Sequence, residues 1–261
     1  MTTDKKKSQN IGAVCACIQE TPEHSEYSIK TLINQVKTIK NFHLVIIANG
    51  CTLNSELRKT IETHKNIILI EVSINLGVPI AWNLGIDILI SHCDCIFILN
   101  DDLWAEPYCL ETLANTLQSL DNTAALGVEG VISNRSNEIG FPIDDIKYKK
   151  KRSFLSSKKI INVSAISGFL LLLNTTFLKE TKFRFDPQFT PAFCEEYDLA
   201  FFAQTHNYKL QIMTGLDKYY DHKHGISSGP KEISYLNKTI WSDDLAKRNI
   251  KLFVEKWNKS A

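Results

Sequence analysis

The chain has 261 residues, 44% of them apolar and 23% charged, with 30 Lys+Arg against 29 Asp+Glu. A chain of this size buries about 70–75% of its unfolded surface, which excludes a disulfide-stapled miniprotein, and its apolar content excludes a disordered chain. The charge balance counts against a protein that binds nucleic acid by neutralising phosphates.

The first ten residues, MTTDKKKSQN, are basic and polar and read as a disordered tail. No apolar stretch of the secretory kind follows them. Uninterrupted apolar runs such as Phe169–Leu173 are far short of the roughly 18–20 residues of a membrane span. The expectation is a cytoplasmic protein, soluble or peripheral to a membrane. Seven cysteines, at 15, 17, 51, 93, 95, 109 and 194, contain no CxxC pair. They read as small buried hydrophobes in a reducing compartment.

Ile11–Ile18 is rich in strand formers and predicts a first strand. Ser28–Lys40 carries Leu32, Ile33, Val36 and Ile39 at helical spacing. Leu44–Ala48 is a continuous apolar run, as in a strand buried on both faces, and it stops at the turn pair Asn49-Gly50. A short helix is predicted over Asn54–His64, a strand over Ile67–Val72 and a helix over Pro79–Ser91 with proline in its first turn. Cys95–Leu99 is another buried strand and ends at Asn100-Asp101-Asp102. Pro107–Leu120 is again a helix that opens on proline. This alternation predicts a mostly parallel sheet with helices on both faces. Ligands of such sheets bind beyond the carboxyl ends of the strands. The residues there are Gln19-Glu20, Asn49-Gly50, Asn75-Leu76-Gly77 and Asn100-Asp101-Asp102.

The second half is less regular. Leu126–Ile132, Val163–Leu173 and Tyr208–Met213 predict strands, and Glu195–His206 a helix. Ser242–Trp257 predicts a helix with Ser242 as N-cap and Asp243 and Asp244 in its first turn. No internal repeat or long linker divides the chain, so one domain with a mixed second half is expected.

Four clusters could carry chemistry. Asp101 and Asp102 follow a buried strand, and a divalent cation would offset the cost of adjacent like charges. Glu195-Glu196-Tyr197-Asp198 precedes an apolar helical pattern. A carboxylate there is either a first-turn charge that suits the helix dipole or a general base. His222 and His224 flank Lys223 before Gly225, and could ligate a metal or contact a phosphate. The run 147–159, KYKKKRSFLSSKK, holds seven basic residues and no acidic one. It reads as an exposed loop, or as a contact with anionic lipid or diphosphate aided by Phe154 and Leu155.

In this order the pieces resemble the inverting GT-A-type glycosyltransferases of family 2. Asn49-Gly50-Cys51-Thr52 follows the second strand. The stretch from Asn75 through Gly77, Ala81, Asn83 and Gly85 to Ile86 is similar to the family's NxGxxxAxNxGI. Leu99-Asn100-Asp101-Asp102 resembles its DxD-type motif, and Ser167-Gly168-Phe169-Leu170 its small-residue strand. Phe185-Asp186-Pro187-Gln188-Phe189 followed by Glu195-Glu196-Tyr197-Asp198-Leu199 resembles FDexF…EDxDL. His222…Ser227 is similar to a late HxxGxS pattern of rhamnosyltransferase-like members. The resemblance covers residues 11–228, divided near 120 into nucleotide-sugar-binding and acceptor-binding halves, and leaves 229–261 as a C-terminal helical extension.

The resemblance implies an α/β GT-A fold, a nucleotide-diphosphate-sugar donor (UDP- or dTDP-sugar), a glycan or lipid-linked acceptor, and Mn²⁺ or Mg²⁺. It places Asp102 as metal ligand, Asp101 as helper at metal or ribose, and His222 at the metal or diphosphate, with His224 the alternative. It makes Glu196 the general base, with Glu195 the alternative. Gln19, Glu20, Asn49, Asn75, Gly77, Asn83 and Asn100 fall on the donor side, and Gly168 and Asp198 on the acceptor side. Three positions depart from the family pattern: Ala48 where an Asp usually precedes the NG turn, Asn100 at the head of the DxD-like motif, and Glu at the base position. These departures leave a second reading, a binding scaffold that has lost turnover. A sugar-phosphate nucleotidyltransferase would need a glycine-rich loop after the first strand, and Gln19-Glu20-Thr21-Pro22 has no glycine. The C-terminal extension either packs over the acceptor side or forms a homo-oligomer contact. The basic run 147–159 is the candidate for a peripheral membrane contact.

Overall fold

The computed structural model describes residues 9–18, 22–132, 158–222, 231–236 and 238–258, with the backbone alone for 22–25. The first half alternates strand and helix: β1 (Ile11–Cys17), α1 (Pro22–Thr38), β2 (Phe42–Asn49), α2 (Ser55–Glu62), β3 (Ile67–Val72), α3 (Val78–Leu89) and β4 (Cys95–Asn100). Then come β5 (Leu103–Ala105), α4 (Pro107–Leu117), β6 (Thr123–Gly127), β7 (Gly130–Val131), β8 (Ile160–Val163), β9 (Ala165–Ile166), β10 (Leu170–Asn174) and α5 (Thr175–Thr181). The chain closes with α6 (Glu195–Thr205), β11 (Lys209–Met213), β12 (Tyr220–His222), β13 (Glu232–Tyr235), β14 (Lys238–Trp241) and α7 (Ser242–Asn258).

Eight strands form the central sheet, in the order β3-β2-β1-β4-β10-β6-β11-β8. The β3, β2, β1 and β4 pairings are all parallel, while β10 runs antiparallel to both β4 and β6. One sheet therefore crosses both halves of the chain. Side chains alternate across it, as the pleat requires. Phe97 and Leu99 of β4 join Leu32, Leu57 and Leu110 from α1, α2 and α4 in one core. Ile96 and Ile98 join Trp82, Phe177 and Leu199 from α3, α5 and α6 in the other. Helices cover both faces because the central strands are apolar on both.

Local signals fix several element ends. The side chain of Asn54 accepts from Leu57 N at 2.8 Å and caps α2. Pro79 and Pro107 lie in the first turns of α3 and α4, where a missing N–H costs nothing. At Gly85, a Cβ would fall 2.4 Å from Val14 Cγ1, so glycine lets α3 lie close against β1.

Some expectations need correction. Helix α1 begins at Pro22, before the predicted Ser28. The strand expected over Leu126–Ile132 starts at Thr123, ends at Gly127, and is followed by the short β7. The strand expected over Val163–Leu173 is three strands, β8, β9 and β10. The backbone leaves the main sheet there: Ser164 N donates to Val131 O and Ser167 N to Glu129 O. Apolar content alone could not show that detour. Ser242 is the first residue of α7, and its hydroxyl accepts from Lys231 N at 3.1 Å. All seven cysteines are free thiols, and all but the half-buried Cys51 are buried. Helix α7 packs its Phe253 and Trp257 with Phe189 and Phe201. None of the described helices is long and apolar enough to cross a membrane.

Candidate active site

Parallel pairing brings the ends of β1, β2 and β4 to one edge of the sheet. Asp101 and Asp102 leave β4 there and take different partners. Asp101 Oδ2 accepts from Ile18 N at 3.2 Å, just past the end of β1. Asp102 is only 6% exposed and lies 3.1 Å from His222 Nε2. Antiparallel pairing of β5 with β12 sets His222 opposite Leu103, which brings the histidine to the aspartate. Apart from this ion-pair contact, neither oxygen of Asp102 accepts a hydrogen bond from the described residues. A buried carboxylate left in this way is costly unless something else meets it.

No group of three or more His, Cys, Asp or Glu among the described residues is arranged to hold a metal. A carboxylate and an imidazole nevertheless suit Mn²⁺ or Mg²⁺ bound largely through substrate phosphates, since such ions keep few protein ligands. The under-bonded oxygens of Asp102 fit that use.

The segment 167–169 joins this corner to the acidic helix start. Phe169 stacks on His222 with ring centroids 4.2 Å apart and planes 10° from parallel. Its carbonyl accepts from Asn100 N at 3.1 Å, tying it to the end of β4. The preceding Gly168 N donates to Glu196 Oε1 at 3.1 Å. A Cβ on Gly168 would fall 2.3 Å from that oxygen, so only glycine leaves room for the carboxylate. Neighbouring residues thus hold Glu196 on one side and His222 on the other.

The two glutamates differ. Glu195 is 3% exposed, and its carboxylate accepts from Phe193 N–H, folding back over the turn that precedes α6. Glu196 is half-buried and reaches Gly168. Burial raises the pKa of both, and the charge of Glu196 raises that of Glu195 further. A carboxylate shifted up in this way is a better proton acceptor near neutral pH. Asp198 is 1% exposed and points elsewhere. It accepts from Lys256 Nζ at 2.7 Å and Trp257 Nε1 at 3.0 Å, both on α7.

The turn before α6 is unusual. Phe193 and Cys194 both have φ of 78°, a left-handed conformation costing side-chain-bearing residues roughly 1–2 kcal/mol each. The same turn abuts the loop over residues 75–78. Val78 N donates to Pro191 O at 2.7 Å. Gly77, with φ of 83°, leaves no room for a Cβ, which would fall 2.8 Å from Thr190 Cγ2.

The loop over residues 75–78 is built by two asparagines. Asn49 is 2% exposed; its Oδ1 accepts from Leu76 N at 2.8 Å and its Nδ2 donates to Asn75 Oδ1 at 3.1 Å. Asn75 Oδ1 also accepts from Gly77 N at 2.8 Å. Asn83 exchanges two hydrogen bonds with the backbone of Phe185, at 2.7 and 2.9 Å. Its amide therefore joins α3 to the segment before α6. Gln19, Glu20 and His224 lie outside the described residues, as does most of the run 147–159.

Sequence reasoning missed the part played by Phe169, which reads only as one more apolar residue. It also missed Glu129, whose carboxylate accepts from Tyr220 Oη at 3.2 Å beside Phe169. A cleft lined by Gln9, Asp94, Asn174 and Lys179 opens at the opposite end of β4 and contains none of these groups.

The chain thus has a parallel sheet with acidic residues beyond β4, extended by antiparallel strands and flanked by a second acidic cluster. The profile described as Glycosyl transferase family 2 matches residues 22–181, and the chain belongs to that family. No curated protein matches the sequence. Among solved structures, S. aureus TarS 1-349 aligns with a TM-score of 0.54 at 14% identity, covering 81% of this chain and 59% of that one. The same TarS fragment in complex with UDP-GlcNAc gives 0.56 at 15%, covering 85% and 62%. GalNAc-T7 with UDP, GalNAc and Mn²⁺ gives 0.61 at 12%, covering 83% and 44%. This chain thus spans less than two thirds of each of these solved chains, and the likeness is one of fold.

Proposed function

We propose that the protein is an inverting glycosyltransferase that moves a sugar from a UDP- or dTDP-linked donor to a hydroxyl of a glycan or lipid-linked acceptor. The observation that carries this reading is the Gly168-Phe169 pair, which touches the Glu196 carboxylate on one side and His222, the partner of Asp102, on the other. The UDP, UDP-GlcNAc and Mn²⁺ of the solved neighbours support the donor and metal classes.

In this reading Asp102 and His222 hold Mn²⁺ or Mg²⁺, with Asp101 at the edge of the same corner. The ion, when bound, offsets charge that develops on the departing diphosphate. Asn49, Asn75 and Gly77 shape the loop beside the nucleotide. Glu196 takes the proton of the acceptor hydroxyl. The hydroxyl oxygen then bonds to the anomeric carbon as the bond from that carbon to the diphosphate oxygen breaks. Attack from the face opposite the leaving group inverts the centre. Asp198 holds α6 to α7, and Glu195 braces the turn. Tyr108, Tyr219, Lys158 and Lys218 form a cationic aromatic patch that continues in sequence into the basic run, and it supports contact with an anionic lipid surface.

A second reading, a nucleotide-sugar-binding scaffold, draws on Ala48, which is fully buried and apolar where the family places an acidic side chain. A panel of UDP-, dTDP-, GDP- and CDP-sugars with Mn²⁺ separates the two. The transferase reading expects donor consumption with one nucleotide class, and NMR of the transferred sugar showing the opposite anomer. Binding without consumption across candidate acceptors would favour the scaffold.

A further inference from the structure

We propose that Asn249 of α7 is a positioning residue for the reaction: it fixes the left-handed turn that aims Glu196, so the C-terminal helix belongs to the catalytic apparatus. The inference rests on the transferase reading and extends it beyond the segment matched by the family, which ends at residue 181.

Asn249 has no exposed surface. Its Nδ2 donates to Phe189 O at 2.7 Å, Ala192 O at 2.7 Å and Phe193 O at 3.1 Å. An amide has two hydrogens, so one is shared between carbonyls. Its Oδ1 accepts from Arg248 Nε at 2.9 Å, and the Arg248 guanidinium also donates to Thr190 O. Two adjacent side chains of α7 thus gather four carbonyls of residues 189–193 around one point. Buried carbonyls converging in this way need a donor among them. The turn they form runs straight into Glu195 and Glu196. With the amide removed, the carbonyls would spread to find other donors, and the start of α6 would move with them. The loop over residues 75–78 touches the same turn through Val78 N and Pro191 O, but its bonds from Asn49 and Asn75 also hold it to the end of β2, so the movement should fall more on Glu196 than on that loop.

The test compares Asn249→Leu with Phe253→Leu in the full-length protein. Phe253 is 2% exposed and packs α7 through contacts with Phe201 and Tyr197. Its truncation loosens α7 without touching the carbonyls. Asn249→Leu should lower kcat by at least about tenfold, with the donor KM within about threefold of wild type. Amide exchange should quicken over residues 193–199 while β1 and β4 stay protected. Phe253→Leu should retain kcat within about threefold even at a comparable loss of melting temperature. Equal kcat in the two variants, or unchanged exchange over 193–199 in Asn249→Leu, overturns the proposal. Exchange needs no turnover. A wild type that consumes none of the nucleotide sugars would therefore refute the transferase reading, whereas unchanged exchange refutes the role of Asn249 alone.

Discussion

The two halves of the sheet build the candidate site in different ways. On the parallel side, Asn49 and the two aspartates sit at or just past a strand end: Asn49 closes β2, and Asp101 and Asp102 follow β4. Parallel pairing delivers them to one edge automatically. On the antiparallel side the groups come from a helix start and a short ribbon strand, and contacts between distant segments place them. Glu196 depends on Gly168 and on a turn held by α7, while His222 depends on β5 and Phe169. The strand order of the parallel half brings its groups to one edge, whereas the groups of the other half are brought there by contacts between distant segments.

The largest expected effect tests the antiparallel half. Glu196→Gln keeps size and removes the base, and should lower kcat about 10²–10⁴-fold in a transfer assay. Nucleotide binding, measured by thermal shift, should survive. Asp102→Ala tests the parallel half. It should lower kcat by about 10²–10³-fold, and it should also abolish the Mn²⁺-dependent shift produced by a nucleoside diphosphate. Gly168→Ala distinguishes position from chemistry. The added methyl displaces Glu196 without changing any charge, and a misplacement of about 1 Å should lower kcat by about 100-fold.

Two smaller effects concern stability. Asn83→Leu strands the N–H and C=O of Phe185 and should cost about 1–3 kcal/mol. In a protein of this size that is several degrees of melting temperature, with little change in donor KM. The smallest effect is pH-dependent. Burial, then the charge of Glu196, raises the folded pKa of Glu195 above its unfolded value of about 4.3. The stability that the neutral carboxyl contributes is complete below that value and is lost as pH rises through the raised folded pKa. Glu195→Gln keeps the neutral shape, so its melting temperature should gain on wild type as pH rises above about 5. A constant difference from pH 4 to 8 would contradict the shift.

The same contrast explains what the sequence made legible. Continuous apolar runs such as 95–99 mark strands buried on both faces, and the polar residues that end them mark the ligand edge. Those readings need only local periodicity. Asn83 shows a limit of that approach: a polar residue on a helix within a familiar motif points toward a ligand, yet its amide bonds to the Phe185 backbone. Phe169 and Asn249 show another limit. Their surroundings are set by tertiary contacts, which local periodicity does not carry. The detour of the chain between Val163 and Leu170 was illegible for the same reason, because its hydrogen bonds go to residues 129 and 131.

Joining the two halves into one site is the central claim, and Mn²⁺ binding in the presence of UDP tests it most directly. Free Mn²⁺, followed by electron paramagnetic resonance during a titration, should fall with wild type and with Glu196→Gln only when UDP is present. It should stay free with Asp102→Ala and with His222→Ala. Unchanged Mn²⁺ uptake in the latter two variants would contradict the account.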